Sequence, residues 1–258
     1  MPTSNILIER LILIVLGLQI SICSSGFSQS FKSSNFIFRL GVDTVAYERY
    51  RKTHQKIEGD ILYVSPRATI VHYVANLDQR GFVRKYVYRS RYVAMAETDV
   101  AVLERVAEIQ DTLVTQEFFM NGSRDTMGMS GEFSVPLGSV PLQDFSVAMY
   151  EQLIDQARAA GKDSIAFYLF TNGPLTSYIK KIGNYRYKST YFFLSSPVFL
   201  ETDVDGHVIR YDATATTVKF IADRSSHLDI PALASRFAAV GTDRICNSVQ
   251  NQRLKDPT

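Results

Sequence analysis

Two cysteines, Cys23 and Cys246, are all that this chain of 258 residues contains. A disulfide-stapled scaffold is excluded, and once the amino-terminal segment is removed a single thiol has nothing to pair with. That thiol lies in the polar tail RICNSVQNQRLKDPT with no histidine beside it, so a spare tail thiol is expected rather than a nucleophile. A dominant charge is missing too. Lys plus Arg number 28 against 26 Asp plus Glu, a net charge of +2, far from the basic balance that draws a chain onto phosphate backbones. Any electrostatic role must come from local clustering.

Catalytic and metal signatures are equally sparse. His54, His72, His207 and His227 are far apart and form no H-E-x-x-H pair, so no zinc is expected. Asp203, Asp205, Gly206 and His207 resemble the start of an oxygen-rich calcium loop, but its twelfth position holds Thr214 instead of Glu; a tight hairpin turn is expected. Gly128-Met129-Ser130-Gly131 is one residue short of a nucleophile elbow, Gly161-Lys162 lacks the upstream glycine of a phosphate loop, and no G-x-G-x-x-G occurs. No catalytic residue, metal or cofactor is predicted.

What is present is a chain that is 46% apolar, enough for a sizeable core. Residues 11–22 form an uncharged apolar run behind Arg10, short of the roughly 20 residues a bilayer span needs. Its length suits a signal-peptide core, and Ser24, Ser25, Gly26 and Ser28 supply a cleavage region, placing the mature start at Gln29. Glu9 and the apolar Ile6 to Ile8 leave an uncleaved anchor as the alternative, the one route by which this chain would touch a membrane. The expected organisation is a signal peptide over 1–28, one sheet domain over 29–241 and a polar tail over 242–258.

Within that domain, runs rich in Val, Ile, Tyr, Phe and Thr alternate with turn residues every eight to twelve positions. Strands are expected over 36–40, 44–51, 57–64, 68–76, 82–93, 113–120, 164–170, 185–194, 198–202, 208–213 and 216–222, with 101–109 undecided between helix and strand. Helices are expected near 146–160, capped by Asp144 or Ser146 and stopped at Gly161, and near 230–240, capped by Asp229 with Gly241 closing it. The class is α+β: a large curved antiparallel sheet, a half-barrel-like meander, covered by one or two helices.

Two strips gather bases and aromatics without an acid: Arg80, Arg84, Lys85, Arg89 and Arg91 in one, and Lys180, Lys181, Arg186 and Lys188 among four tyrosines in the other. On the strand over 82–93, Phe82, Tyr86, Tyr88 and Tyr92 share one parity, while Lys85, Arg89 and Arg91 share the other with Val83 and Val87. A single-strand nucleic-acid platform sets cations beside rings. Parity separates the rings from most of the cations here, so no nucleic-acid partner is expected and the rings belong to a core or cleft face. VANLDQRGFVRKY and FLETDVDGHVIRY share an Asp three before a Gly, read as recurrent turn chemistry rather than duplication.

The stretches DTVAYERY, SPRATIVHY, YEQLIDQARAAGKDS and TTVKFIADR resemble a family of uncharacterised signal-peptide-bearing bacterial envelope proteins, over residues 36–240. The resemblance implies a periplasmic or secreted location and no mechanism; some members continue into a further carboxy-terminal domain. Together these readings predict a nonenzymatic protein that binds a lipid or other apolar or amphipathic envelope molecule in a sheet–helix cleft, its wall formed by Phe82, Tyr86, Tyr88, Tyr92, Tyr150 and Leu153. The alternatives are a structural or interaction module pairing its sheet edges with an envelope protein, and a hydrolase without a recognisable motif.

Overall fold

The computed structural model describes residues 32–64, 67–97, 99–124, 130–142, 146–169, 176–191 and 196–240. The segment over 1–28, the tail over 242–258, Asp144, Gly241 and the Gly128-Met129 pair lie outside the described residues. Among the described residues one open sheet of sixteen strands dominates, with two helices. Its first half is a meander: β1 (Lys32–Leu40), β2 (Asp43–Lys52), β3 (Lys56–Tyr63), β4 (Thr69–Leu77), β5 (Val83–Tyr92), β6 (Leu103–Gln110) and β7 (Leu113–Met120), each antiparallel to the next. The short β8 (Ser123–Arg124) and β9 (Gly131–Ser134) both pair with β7.

The second half starts at the far edge with β10 (Val140–Leu142). It returns through β11 (Ser164–Leu169), β12 (Thr176–Gly183), β13 (Arg186–Thr190), β14 (Val198–Thr202), β15 (Val208–Asp212) and β16 (Phe220–Ser225). The two halves are stitched where β16 pairs with β1, from Asn35 opposite Ser225 to Leu40 opposite Phe220. The expectation of a purely antiparallel sheet needs one correction. β10 and β11 run parallel, because helix α1 (Val147–Ala159) connects them and carries the chain back over the sheet.

Alternation decides which side chains enter the core. In β2, Ala46, Glu48 and Tyr50 point in and are buried, while Tyr47 and Arg49 alternate outward. β11 breaks that rule, with Ala166 to Leu169 all buried. Phe167 packs on Tyr150 of α1 and on Tyr191 at 6.4 and 5.5 Å between ring centroids, whereas Tyr168 meets Phe133 of β9 at 5.6 Å. A strand covered on both faces reads as a continuous apolar run for this reason. On the outer face, helix α2 (Ile230–Val240) packs Ile230, Ala234, Leu233 and Phe237 over Tyr47, Leu62 and Ile70.

Local chemistry accounts for the other departures. The undecided stretch is β6, whose Val106 and Glu108 alternate with Ala107 and Ile109 on the core side. The strand expected over 185–194 is β13, and an unexpected β12 precedes it as its hairpin partner. The strand expected over 216–222 begins at Phe220, since a turn comes first: Thr216 donates from N and Oγ1 to the Ala213 carbonyl, and Lys219 takes a left-handed φ of 51°. Ser146 caps α1 and the Asp229 carboxylate accepts from Ala232 N at the start of α2. Each helix covers few strands.

Candidate functional site

The inner side of the sheet under α1 is built around two buried carboxyls. Glu48 of β2 accepts from the Tyr73 hydroxyl at 2.6 Å, from Ser146 Oγ at 3.2 Å and from Val147 N, in the first turn of α1, at 2.7 Å. Three elements thus meet on one side chain that is fully buried. Burial pushes its carboxyl up to about 7, although these hydrogen bonds act in the other direction. Glu151, one helical turn further along α1, accepts from Tyr50 Oη at 2.9 Å and Val208 N at 3.2 Å and stands 3.0 Å from His207 Nδ1. Desolvation and the neighbouring carboxylates hold the Tyr50 and Tyr73 phenols well above their ordinary range.

Two matching turns grip the flanks of α1. In the β4–β5 turn, Asp78 Oδ1 accepts from Arg80 N and Phe82 N, both at 2.9 Å, and Gly81 takes a φ of 78°. In the β14–β15 turn, Asp203 Oδ1 accepts from Asp205 N at 3.1 Å and His207 N at 2.8 Å, and Gly206 takes a φ of 93°. The repeated Asp-x-x-Gly is one turn used twice, with glycine where a side chain would be strained. Gln152 and Gln156 both donate to the Gly81 carbonyl, at 2.6 and 2.8 Å, and Arg158 donates to the Asp205 carbonyl.

Polar atoms beyond these contacts are left over. Tyr150 Oη, Tyr168 Oη, Gln152 Oε1, Gln156 Oε1, Ser139 Oγ, Ser177 Oγ and Ser189 Oγ are buried and meet no hydrogen-bond partner among the described residues. Rings stand close by: Tyr150 lies 5.3 Å from Tyr211, which stacks on Phe220 at 5.4 Å. Each buried polar group without a partner costs about 1–3 kcal/mol, so native interiors rarely keep several.

Of the six expected wall residues, Tyr86, Tyr88, Tyr150 and Leu153 share the large buried cluster between α1 and the sheet. Phe82 and Tyr92 stand apart from it. Phe82 precedes β5, with the Arg80 guanidinium 4.7 Å from its ring centre, and Tyr92 ends β5 with Arg67 at 3.7 Å. The parity reading also needs a correction at Val83: a register shift between Asn76 and Leu77 turns it inward, where it is buried. Glu48, Glu151, Tyr73 and the two glutamines were not anticipated. Their signal was present, because Glu48 shares parity with Ala46 and Tyr50, an acid on the apolar side of a strand.

A concavity of about 660 Å³ lies on the outer face, between α2 and the segment leading into β6. Its floor is a row of directly opposed residues across five strands: Arg49, Asp60, His72, Arg89 and Glu104. Arg49 meets Asp60 at 3.0 Å, His72 Nδ1 meets Asp60 at 3.0 Å and Arg89 meets Glu104 at 2.8 Å. Burial works to raise the Asp60 carboxyl, but the bonds from His72 and Arg49 outweigh it and hold it below the usual carboxylate range. The row satisfies itself. Among the described residues no group of three or more His, Cys, Asp or Glu side chains could hold a metal ion, and no helix is long and apolar enough to cross a membrane.

No family model matches the chain, and no curated protein matches it. Among solved structures, a DUF1089 family protein from Pseudomonas aeruginosa is similar at 14% identity, with a TM-score of 0.46, over 66% of this chain and 91% of that one.

Proposed function

We propose that this is an exported, nonenzymatic binding protein that holds an amphipathic molecule between α1 and the inner face of a sheet curled around it in half-barrel fashion. The supporting observation is the set of buried polar atoms without partners, Tyr150 Oη, Gln152 Oε1, Gln156 Oε1, Ser177 Oγ and Ser189 Oγ, interleaved with aromatic rings. A purely apolar ligand would leave those atoms unmet; a molecule with a hydrogen-bonding part and a hydrocarbon part answers both kinds of surface. Pairing of a sheet edge with an envelope protein has less support, because the β10 edge is buried at all three residues, β8 is two residues long and β9 four.

The test is native mass spectrometry of the mature protein purified without detergent, followed by organic extraction. A co-purifying small molecule, displaced by a fluorescent fatty acid, is the expected result. A bare protein mass together with no probe binding overturns the reading. The same spectrum tests export, since cleavage before Gln29 fixes the mature mass.

A further inference from the structure

The contact that seats α1 is a carboxyl without a counter-charge. Glu48 is fully buried, and among the described residues no Lys, Arg or His bonds to it. Phe36 of β1 and Ile61 of β3 lie directly opposite it, Tyr73 of β4, Ser146 and the Val147 and Ala148 N–H groups of α1 bond to it, and Tyr50 and Tyr86 feel its charge. A second acid, Glu151, bonds to Tyr50, and His207 Nδ1 stands 3.0 Å from it. A lone buried charge is costly, and a neutral acid in the same place is not. The hydroxyl of Tyr73 or of Ser146 can turn to accept the single acid proton while Val147 N goes on donating to the other carboxyl oxygen.

From this geometry we propose that Glu48 gates α1: the first turn of the helix stays seated on β2 and β4 while Glu48 holds its proton, and it lifts, opening the helix–sheet interior, as that carboxyl ionises. The sign follows from where the proton is held more tightly. Seated, the carboxyl titrates at about 7; lifted into water it returns to its ordinary 4.5. Seating is therefore favoured fully below the lower value and progressively lost as pH rises toward the upper one.

Hydrogen exchange on the mature protein, without added ligand, reads the gate directly. Protection factors for amides in the first turns of α1, corrected for intrinsic exchange, are compared at about pH 5.5 and about pH 8; opening is expected to rise roughly 30-fold. Glu48→Gln, neutral throughout, should flatten that change. Tyr73→Phe removes a donor that favours the ionised form, so its opening should go on rising past the pH at which the parent levels off. A parent whose protection does not change, or a Glu48→Gln variant that keeps the full change through the Glu151–His207 pair, overturns the proposal. If Glu48→Gln does not fold, the parent and Tyr73→Phe profiles still decide. The gate rests on α1 covering the interior and not on what binds there, so a failure to find a bound molecule bears on the ligand reading alone.

Discussion

Gly59 of β3 shows how tightly the acid centre is packed at the scale of one residue. A Cβ there would sit 2.8 Å from the Arg49 carbonyl oxygen and within the contact distance of the Tyr73 hydroxyl. Gly59→Ala must then push Tyr73 away from Glu48, and a loss of about 2–3 kcal/mol in denaturant unfolding is expected, the scale of overpacking. Tyr86→Ala should cost about 3 kcal/mol or more, since the ring is fully buried. Reversing Arg89 and Arg91 should cost about 1 kcal/mol or less, because Arg89 is largely exposed beside Glu104 and Arg91 reaches the exposed Glu97. Equal losses for the tyrosine and the arginines would invert the assignment of faces. That assignment was legible in the sequence for Tyr86 and Tyr88, where strict alternation holds. It failed at Val83, where a one-residue register shift leaves no mark in composition.

At the scale of elements, α1 is held both by its buried apolar residues and by polar clamps from opposite sides. The helix boundaries were readable because Ser146 and Gly161 carry cap and stop chemistry in their own side chains or lack of one. What the helix meets was not readable, since Gln152 and Gln156 find Gly81 more than seventy positions away in the chain. Both amides converge on one carbonyl, so removing either leaves the other in place. Gln152→Ala or Gln156→Ala alone should cost about 1 kcal/mol, and the double variant more than the sum, because only then is the carbonyl stranded. A double-mutant cycle by thermal unfolding checks this; strict additivity would mean that the β4–β5 turn does not grip the helix. The same logic explains β12. Its run of Tyr178, Lys180 and Lys181 reads as a charged strip until its partner β13 is known.

For the molecule as a whole, the question is whether the interior is complete by itself. With β11 covered on both faces, Tyr168 on it and Ser177 on the neighbouring β12 both lie buried. Two hydroxyls allow a decision without knowledge of any ligand. Tyr150 Oη and Tyr168 Oη are buried and meet no partner among the described residues, and burial holds the Tyr168 phenol far above its ordinary range. Deleting an unmet hydroxyl removes a desolvation cost while the ring keeps its packing. In protein stripped of any co-purifying molecule, Tyr150→Phe and Tyr168→Phe should therefore unfold at or above the temperature of the parent, each gaining up to about 1 kcal/mol. In protein carrying its molecule the order should reverse for Tyr150, whose hydroxyl on α1 then donates to the ligand, and not for Tyr168, which faces Phe133 of β9. The informative quantity is the change in order between the two preparations. Substitutions that destabilise both equally would show that the hydroxyls serve the fold alone, and the interior would then be a filled core.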